Sequence, residues 1–195
     1  MLRSTLLVLL LVTTPLTAQV EVTLRLAAVQ DGAHATADAV IDAPRLRAGD
    51  GLEPALAAAL RRGDWRIAVG VGRRTADLAL RGEGSGILTV DALRAVTVGG
   101  ELVRRMAVGS GAVSLGIGIT RTRWTFPGLA DPARWRWGVV ASLESELPLA
   151  AHWALVGRVD AMRHGGVFDE DELPAGYQRT TPIRLGVGTG LRWLP

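Results

Sequence analysis

The feature that most constrains this chain is a period-two alternation of apolar and polar residues that recurs after residue 19. In the segment 112–124, for example, Val113, Leu115 and Ile117 alternate with Ser114 and Gly116. Such alternation predicts β-strands with one apolar and one polar face. Eight segments show it, at about 20–30, 52–61, 65–74, within 88–103, 112–124, 135–147, 152–164 and 181–193. The chain is therefore predicted to be all-β.

Two of these segments fit the pattern less well. Residues 52–61 are rich in alanine, so their intrinsic propensity also allows a short helix, and they are assigned as a strand because the strand number and the connections then agree. In the fourth segment, Arg94 falls on the otherwise apolar face. The sequence alone gives no account of that arginine.

The connections between the segments alternate in length. Those after strands one, three, five and seven are long, at 31–51, 75–87, 125–134 and 165–180, whereas those after strands two, four and six are short, at 62–64, 104–110 and 148–151. An even number of strands with loops sorted in this way is typical of membrane barrels, which have short periplasmic turns and longer external loops. A soluble barrel or sandwich has no reason to sort its loops.

The hydropathy of the chain favours the same class. The mean hydropathy is +0.24, yet no apolar run after residue 19 has the length that a transmembrane helix needs. A closed β-barrel is the other regular structure that crosses a membrane. The prediction is an eight-stranded, antiparallel, up-and-down transmembrane β-barrel.

The N-terminal segment has the features of a secretory signal peptide. Arg3 precedes the apolar run 6–12, and the small residues of 16–18 stand where a peptidase would cut. We therefore expect a signal peptide at 1–18 and a barrel domain at 19–195. The chain has no cysteine, so neither a disulfide nor a lipid-anchoring cysteine is expected.

The positions between the apolar ones carry charges of both signs. The 22 basic residues are all arginine and face 19 acidic residues, without the clustered basic face of a nucleic-acid-binding protein. In a barrel these charges would face inward, where only paired charges are tolerated; on a soluble sheet they would form a wet face. The candidate lumen ion-pair network is Glu21, Arg25, Arg66, Asp91, Glu101, Arg136, Glu144, Glu146, Arg158, Asp160, Arg184 and Arg192, and Glu53, Arg61 and Arg74 share its face.

The tryptophans provide a second test of the barrel hypothesis, because indole favours the membrane interface. They fall at both ends of the predicted strands, which predicts two aromatic girdles around the barrel. The short-turn group is Trp65, Trp153 and Trp193, and the long-loop group is Trp124, Trp135 and Trp137.

The sequence shows no motif typical of a catalytic or metal-binding site. His34, His152 and His164 show no ligand spacing, and the "GEGSG" stretch at 82–86 lacks the ending of a phosphate-binding loop. We therefore expect neither a cofactor nor a metal, and no enzymatic activity.

The pattern over 20–193 resembles the small bacterial outer-membrane β-barrels of the OmpA-like and OmpX-like type. Its most specific part is the last strand, where the spacing of Gly188, Leu191 and Trp193 is similar to the insertion signal read by the barrel-assembly machinery; Leu194 and Pro195 follow it. The lipid A deacylases of similar size carry a His-x-Ser pair, but Gly165 and Gly166 follow His164 here.

The resemblance implies an exported, Gram-negative outer-membrane protein in contact with membrane lipid, and we expect a monomer. The principal hypothesis is a plugged barrel with a structural role or an interaction role through its external loops. Passage of small apolar solutes, as in some porin-like barrels, is an alternative. A soluble secreted or periplasmic lipid-binding barrel is another, and an enzyme acting on outer-leaflet lipid is the least favoured.

Overall fold

The computed structural model describes residues 18–37, 44–82, 86–127, 133–173 and 175–195. The predicted signal peptide thus lies outside the described residues, apart from Ala18. The described strands are β1 (Gln19–Gln30), β2 (Ala33–Ala37), β3 (Arg45–Ala48), β4 (Gly51–Arg62), β5 (Trp65–Gly82), β6 (Gly86–Val108), β7 (Gly111–Thr125), β8 (Arg134–Ala150), β9 (Trp153–His164), β10 (Tyr177–Arg179) and β11 (Ile183–Trp193), with a short 3-10 helix at Glu170–Glu172.

Eight of these strands form a closed antiparallel barrel. β1 pairs with β4, then β4 with β5, β5 with β6, β6 with β7, β7 with β8, β8 with β9 and β9 with β11. β11 returns to β1, with Leu24 opposite Leu191, and this pairing closes the ring. The predicted fold class is confirmed. The alanine-rich segment 52–61 is a strand, because β4 lies within the ring between β1 and β5.

The three short connections lie together at one end of the barrel, which we call the turn end. Each is a two-residue turn, Gly63–Asp64, Gly109–Ser110 and Ala151–His152. Gly63 and Gly109 have φ angles of +58° and +57°, a conformation that favours glycine. The turns are shorter than predicted because the strands before 104–110 and 148–151 continue to Val108 and Ala150.

The opposite end, which we call the loop end, carries a wall that the sequence did not predict. The segment 75–87 was expected to be a loop, and this is wrong: β5 and β6 stay paired from Thr75 opposite Arg94 up to Gly82 opposite Gly86. The upper part of β5 also pairs with β3, β3 with β2, and β2 with β10. Of the "GEGSG" stretch, residues 83–85 lie outside the described ones.

The outer wall of the barrel is apolar and its inner wall is polar over most of the strand length. On β7, Ile117 is 68% exposed, whereas the alternating residues Ser114 and Thr120 are buried. The same holds for Leu24 on β1 and Val187 on β11, both of which face outward. No helix among the described residues is long and apolar enough to span a membrane.

This polarity inverts at the loop end. On β5, Ile67 and Val69 face outward, but further along the same face Arg73 and Asp77 are exposed, while Leu78 is buried inside. The buried apolar side chains at this level form what we call the loop-end core. Its members are Ala35, Leu46, Ala48, Ala76, Leu78, Leu93, Ala95, Trp124, Phe126 and Val167.

Candidate functional site: the barrel interior

The interior next to the turn end holds a group of seven charged residues, called the turn-end network. It contains three glutamates and four arginines contributed by six strands. Its members are Glu21, Arg61, Arg66, Arg105, Glu144, Glu146 and Arg192.

Glu144 and Arg192 are the centre of this network. One oxygen of Glu144 accepts hydrogen bonds from Arg66 at 2.8 Å and from Arg192 at 2.6 Å. Arg192 also donates to Glu146 at 2.6 Å, and its Nε donates to Thr23 at 3.0 Å. Since these residues come from β1, β5, β8 and β11, the ion pairs cross the lumen and connect strands that are not neighbours.

A second group, the central network, lies further toward the loop end. Arg158 on β9 pairs with Glu101 on β6, and Ser142 donates to the same carboxylate at 2.9 Å. Arg184 on β11 bridges Glu53 at 2.8 Å and Asp160 at 3.3 Å. Both networks therefore hold opposite walls of the barrel together by charge-assisted hydrogen bonds.

Glycines leave room for these carboxylates. A Cβ added at Gly116 would lie 2.5 Å from Ser142 Oγ and 3.0 Å from Glu101 Oε2, and one added at Gly72 would lie 2.8 Å from Glu53 Oε1. A cavity of about 100 Å³ lies beside Arg25 and Arg158. A cavity of this size holds a few water molecules.

A third polar group closes the interior at the loop end. Asp31, which directly follows β1, pairs with Arg74 and lies 3.5 Å from His164 Nε2 and 4.0 Å from His34 Nε2. Both imidazoles pack against Trp124, with ring centroids 5.4 and 5.8 Å away. The five side chains are almost fully buried. They form what we call the histidine cluster.

Hydrogen bonds fix how the histidine cluster is connected. The Val167 N–H donates to His34 Nδ1 at 3.2 Å, so a neutral His34 carries its proton on Nε2. His164 Nδ1 donates to the Gly165 carbonyl at 2.9 Å. The cluster thereby attaches the segment after β9 to the loop end of the barrel.

The titration of the two groups outside the barrel strands follows from burial and charge. Burial lowers the pKa of His34 to about 4, and the nearby Asp31 carboxylate offsets this only in part. For Asp31, burial would raise the pKa, but His164 and the Arg74 guanidinium hold the pKa of this carboxyl well below its usual range. At neutral pH the cluster contains a neutral His34 and an ionised Asp31.

Solved structures of similar shape were found by comparison of folds. Neisserial surface protein A (NspA) superposes with a TM-score of 0.63 at 12% identity, covering 89% of this chain and 96% of that one. A major outer membrane protein from Thermus thermophilus gives 0.52 at 15% identity, covering 90% and 99%. The outer membrane protease OmpT from Escherichia coli gives 0.46 at 8% identity, covering 94% and 100%. No protein-family model matches the chain, and the search of curated proteins found no match.

The chain has the fold of the small outer-membrane β-barrels. Its closed backbone pairing and its apolar outer wall are what a chain needs to span lipid with strands. Fold and wall together place this barrel in the outer membrane.

Most of the predicted lumen residues lie inside the barrel, but Asp91 and Arg136 lie beyond its networks, and Arg25 forms no ion pair within them. Asp91 lies on the part of β6 that rises beyond the closed barrel, and its carboxylate accepts the Ala92 N–H at 2.7 Å. Arg136 donates to the Gly166 carbonyl at 2.7 Å and to Asp169 at 2.9 Å, so it binds the segment after β9. Both residues occupy inward-facing positions of their strands, as predicted, but they lie too close to the loop end to reach the networks.

Two of the charged interior residues were not predicted from the sequence. Arg105 pairs with Glu146 at 3.0 Å, but it was assigned to a turn because the fourth strand was predicted to end at Val103. Asp31 was assigned to a loop. Arg25 lies among the charges of the central network, and within the described residues no carboxylate lies within ion-pair distance of it.

Five of the six predicted girdle tryptophans are exposed on the outer wall. Trp65, Trp153 and Trp193 lie at the turn end, and Trp135 and Trp137 at the loop end. The prediction for Trp124 is wrong: it is 2% exposed and packs inside against His34 and His164. Trp124 lies where the polarity of the strands has inverted, so its position faces the loop-end core.

The arrangement of the histidine cluster determines whether it could bind a metal ion or a substrate. In the described part of the chain, no group of three or more His, Asp or Glu side chains is arranged to hold a metal ion. His34 and His164, which the sequence analysis treated as unrelated, meet at Asp31, but each is 2% exposed or less. A substrate would not reach these imidazoles while Trp124 and Val167 cover them.

Proposed function

We propose that the protein is a closed, non-conducting barrel that presents its loop end as a rigid platform on the cell surface. The observation that carries the proposal is the pair of ion networks that cross the lumen. Glu144 joins β8 to β5 and β11 through Arg66 and Arg192, and Arg158 joins β9 to β6 through Glu101. A solute moving along the axis would have to break several buried ion pairs.

The order of the loop end supports the platform role. Arg136 and His34 both bind the segment that follows β9, and Arg134 forms a 2.6 Å ion pair with Glu172. The strands β3, β2 and β10 pair in that order onto the upper part of β5 and extend the wall. A fixed arrangement of loops is what an interaction through the external surface requires, since less ordering entropy is lost on binding.

The polarity of the two walls bears on the alternative functions. A soluble lipid-binding barrel would need an apolar interior and a polar exterior, but here Glu144 and Arg192 are buried, whereas Ile117 and Leu24 are exposed. An apolar solute would meet the same charges on entering the lumen. The proposal therefore assigns no transport and no catalysis to the barrel interior.

Conductance in planar lipid bilayers tests this function. The purified full chain, shown to be folded by a heat-dependent change in gel mobility, should insert without giving a steady current. A porin reconstituted in the same way is the positive control and shows that the assay detects an open barrel. A variant in which Glu53, Glu101, Arg158 and Arg184 are all alanine empties only the central network and should stay closed, because the turn-end network still crosses the lumen. A steady conductance from the wild-type chain would contradict the proposal.

A further inference from the structure

The outer wall carries a group of exposed arginines at the loop end that the closed-barrel function does not use. Four of them lie on the adjacent strands β5, β6 and β7 and are called the external arginine patch. They are Arg73, Arg94, Arg121 and Arg123.

The strand register places these four side chains close together. Arg73 and Arg123 lie opposite Val96, one on each side of β6. Arg94 is two residues from Val96 on the same face, and Arg121 is two residues from Arg123. Strands are about 4.8 Å apart and two residues span about 6.7 Å, so the backbone of Arg94 lies about 8 Å from those of Arg73 and Arg123, and Arg121 lies about 7 Å from Arg123. Grouped as Arg73 with Arg94 and Arg121 with Arg123, the patch offers two arginine pairs about 10 Å apart.

The described residues provide no acidic partner for the patch. None of the four arginines lies within 4.0 Å of a described carboxylate. Arg121 stacks over Trp135 at 4.6 Å and over Trp137 at 5.4 Å, which holds its guanidinium at the wall. The exposed acid Asp77 lies on the same face of β5, four residues beyond Arg73 and outside the patch. The patch itself contains four arginines and no acid, so it is strongly cationic.

The patch adjoins the apolar wall on one side of the barrel. Val71 and Val98 are exposed beside Arg121 at the same level, and the exposed Ile119 lies one step nearer the turn end. On the next two strands of the ring, β4 and β1, the outward residues near the loop end are uncharged, namely Leu52 and Gln30. Cationic forks above an apolar surface match a molecule with an anionic head and acyl chains, and the long-loop end faces the external leaflet.

We propose that the external arginine patch binds a doubly phosphorylated lipid of the external leaflet, with one phosphate at each arginine pair and the acyl chains along Val71, Val98 and Ile119. Arginine suits this role because its planar fork donates two parallel hydrogen bonds to a phosphate. The inference assumes that the barrel spans the outer membrane, and it is independent of whether the lumen conducts.

Lipid retention by the purified full chain tests the proposal. The chain is inserted into phosphatidylcholine nanodiscs with traces of diphosphoryl lipid A, monophosphoryl lipid A or a phosphate-free glycolipid, and the bound lipid is counted by native mass spectrometry. We expect the diphosphoryl form to be preferred. Replacing either pair, as R73Q/R94Q or R121Q/R123Q, should weaken retention roughly 30-fold. The matched control R62Q/R104Q removes two arginines from the turn end and should leave retention unchanged.

Each other outcome overturns the proposal. Equal retention of the diphosphoryl and phosphate-free lipids would show that the apolar wall alone is responsible. Displacement of the lipid by inorganic phosphate alone would show that a free anion is the ligand. If both pair variants are folded by gel mobility and still retain the lipid, the patch is not the site. Conductance of the same preparations is recorded separately, so failure of the closed-barrel function is distinguished from failure of this inference.

Discussion

The turn-end network and the loop-end core occupy the interior of one barrel but are built from opposite side chains. The first is held by Glu144, Arg66 and Arg192, which are charged and buried. The second is held by Trp124 and Leu93, which are apolar and buried. Both regions are enclosed by the same strands β5, β6 and β7, so the difference does not come from the fold.

The surroundings of the wall explain the difference. Where the outside is lipid, burying an apolar side chain inside gains little, since lipid tails are as apolar as the interior. The interior is then stabilised by hydrogen bonds and ion pairs. Where the strands rise into water, burial of Trp124 and Leu93 is again favourable, and Arg73 and Arg94 are exposed. Whether lipid or water surrounds the wall therefore decides whether polar or apolar side chains fill the interior at that level.

The largest effect is expected from the turn-end network. Replacing Glu144 with Ala removes the carboxylate nearest to both Arg66 and Arg192, which then share only the more distant Glu21. We expect a loss of about 4–5 kcal/mol in unfolding free energy. Urea unfolding in detergent micelles measures it. Replacing the outward-facing neighbour Ser145 with Ala is the matched control and should cost little. Equal losses in the two variants would show that the interior charges do not hold the barrel.

Replacing Trp124 with Ala should affect the loop-end core instead. Removal of a buried indole typically costs about 3–4 kcal/mol, and we expect hydrogen exchange to rise in β2 and β3 while the β1–β11 pairing stays protected. The exposed Trp137→Ala variant removes the same group from the outer wall as a control. Loss of protection throughout the barrel would contradict the separation of the two regions.

Acid should destabilise the loop end before the rest of the barrel. Because the pKa of His34 is about 4 when folded and about 6.5 when unfolded, its contribution is complete above about pH 6.5 and is lost as the pH falls through 4. From pH 7 to pH 4 the loss is about 3 kcal/mol. Asp31, whose pKa is also lowered, acts in the same direction at still lower pH.

Hydrogen exchange at β2 as a function of pH measures this loss. A His34→Asn variant should flatten the profile, whereas a variant of His152, which lies exposed at the turn end, should not change it. An unchanged profile in the His34 variant would show that another group is responsible.

The smallest effect concerns crowding in the central network. A Cβ at Gly116 would meet Ser142 and Glu101, and overpacking of this kind costs about 2 kcal/mol. At Gly100, where the nearest atom to an added Cβ is 3.8 Å away, Ala should be tolerated. Thermal unfolding of the two alanine variants measures the difference. Equal midpoint temperatures would mean that the lumen can accept the extra methyl group at Gly116.

The sequence predicted the barrel because alternation and loop sorting are local and repeated. It did not predict the extent of β5 and β6, because the apolar residues were expected on the outward face throughout, whereas the polarity of the two faces inverts near Arg74. For that reason Arg94 did not fit the apolar face of its predicted strand. In the structure it is exposed on the outer wall at the loop end, where outward residues are polar. Trp124 was misplaced by the same error, and Asp31 met His34 and His164 only through pairings that sequence spacing does not reveal.

The seam between β1 and β11 has a consequence for how the chain is made. These strands are the first and the last of the described strands along the chain, and Arg192 on β11 completes the contacts of Glu144 and Glu146. Until that last strand arrives, β1 has an open edge, and Glu144 and Glu146 each lack one of their two arginine partners. Such late, long-range pairing makes folding slow. Removal of the last strand should therefore abolish the barrel as a whole rather than shorten it.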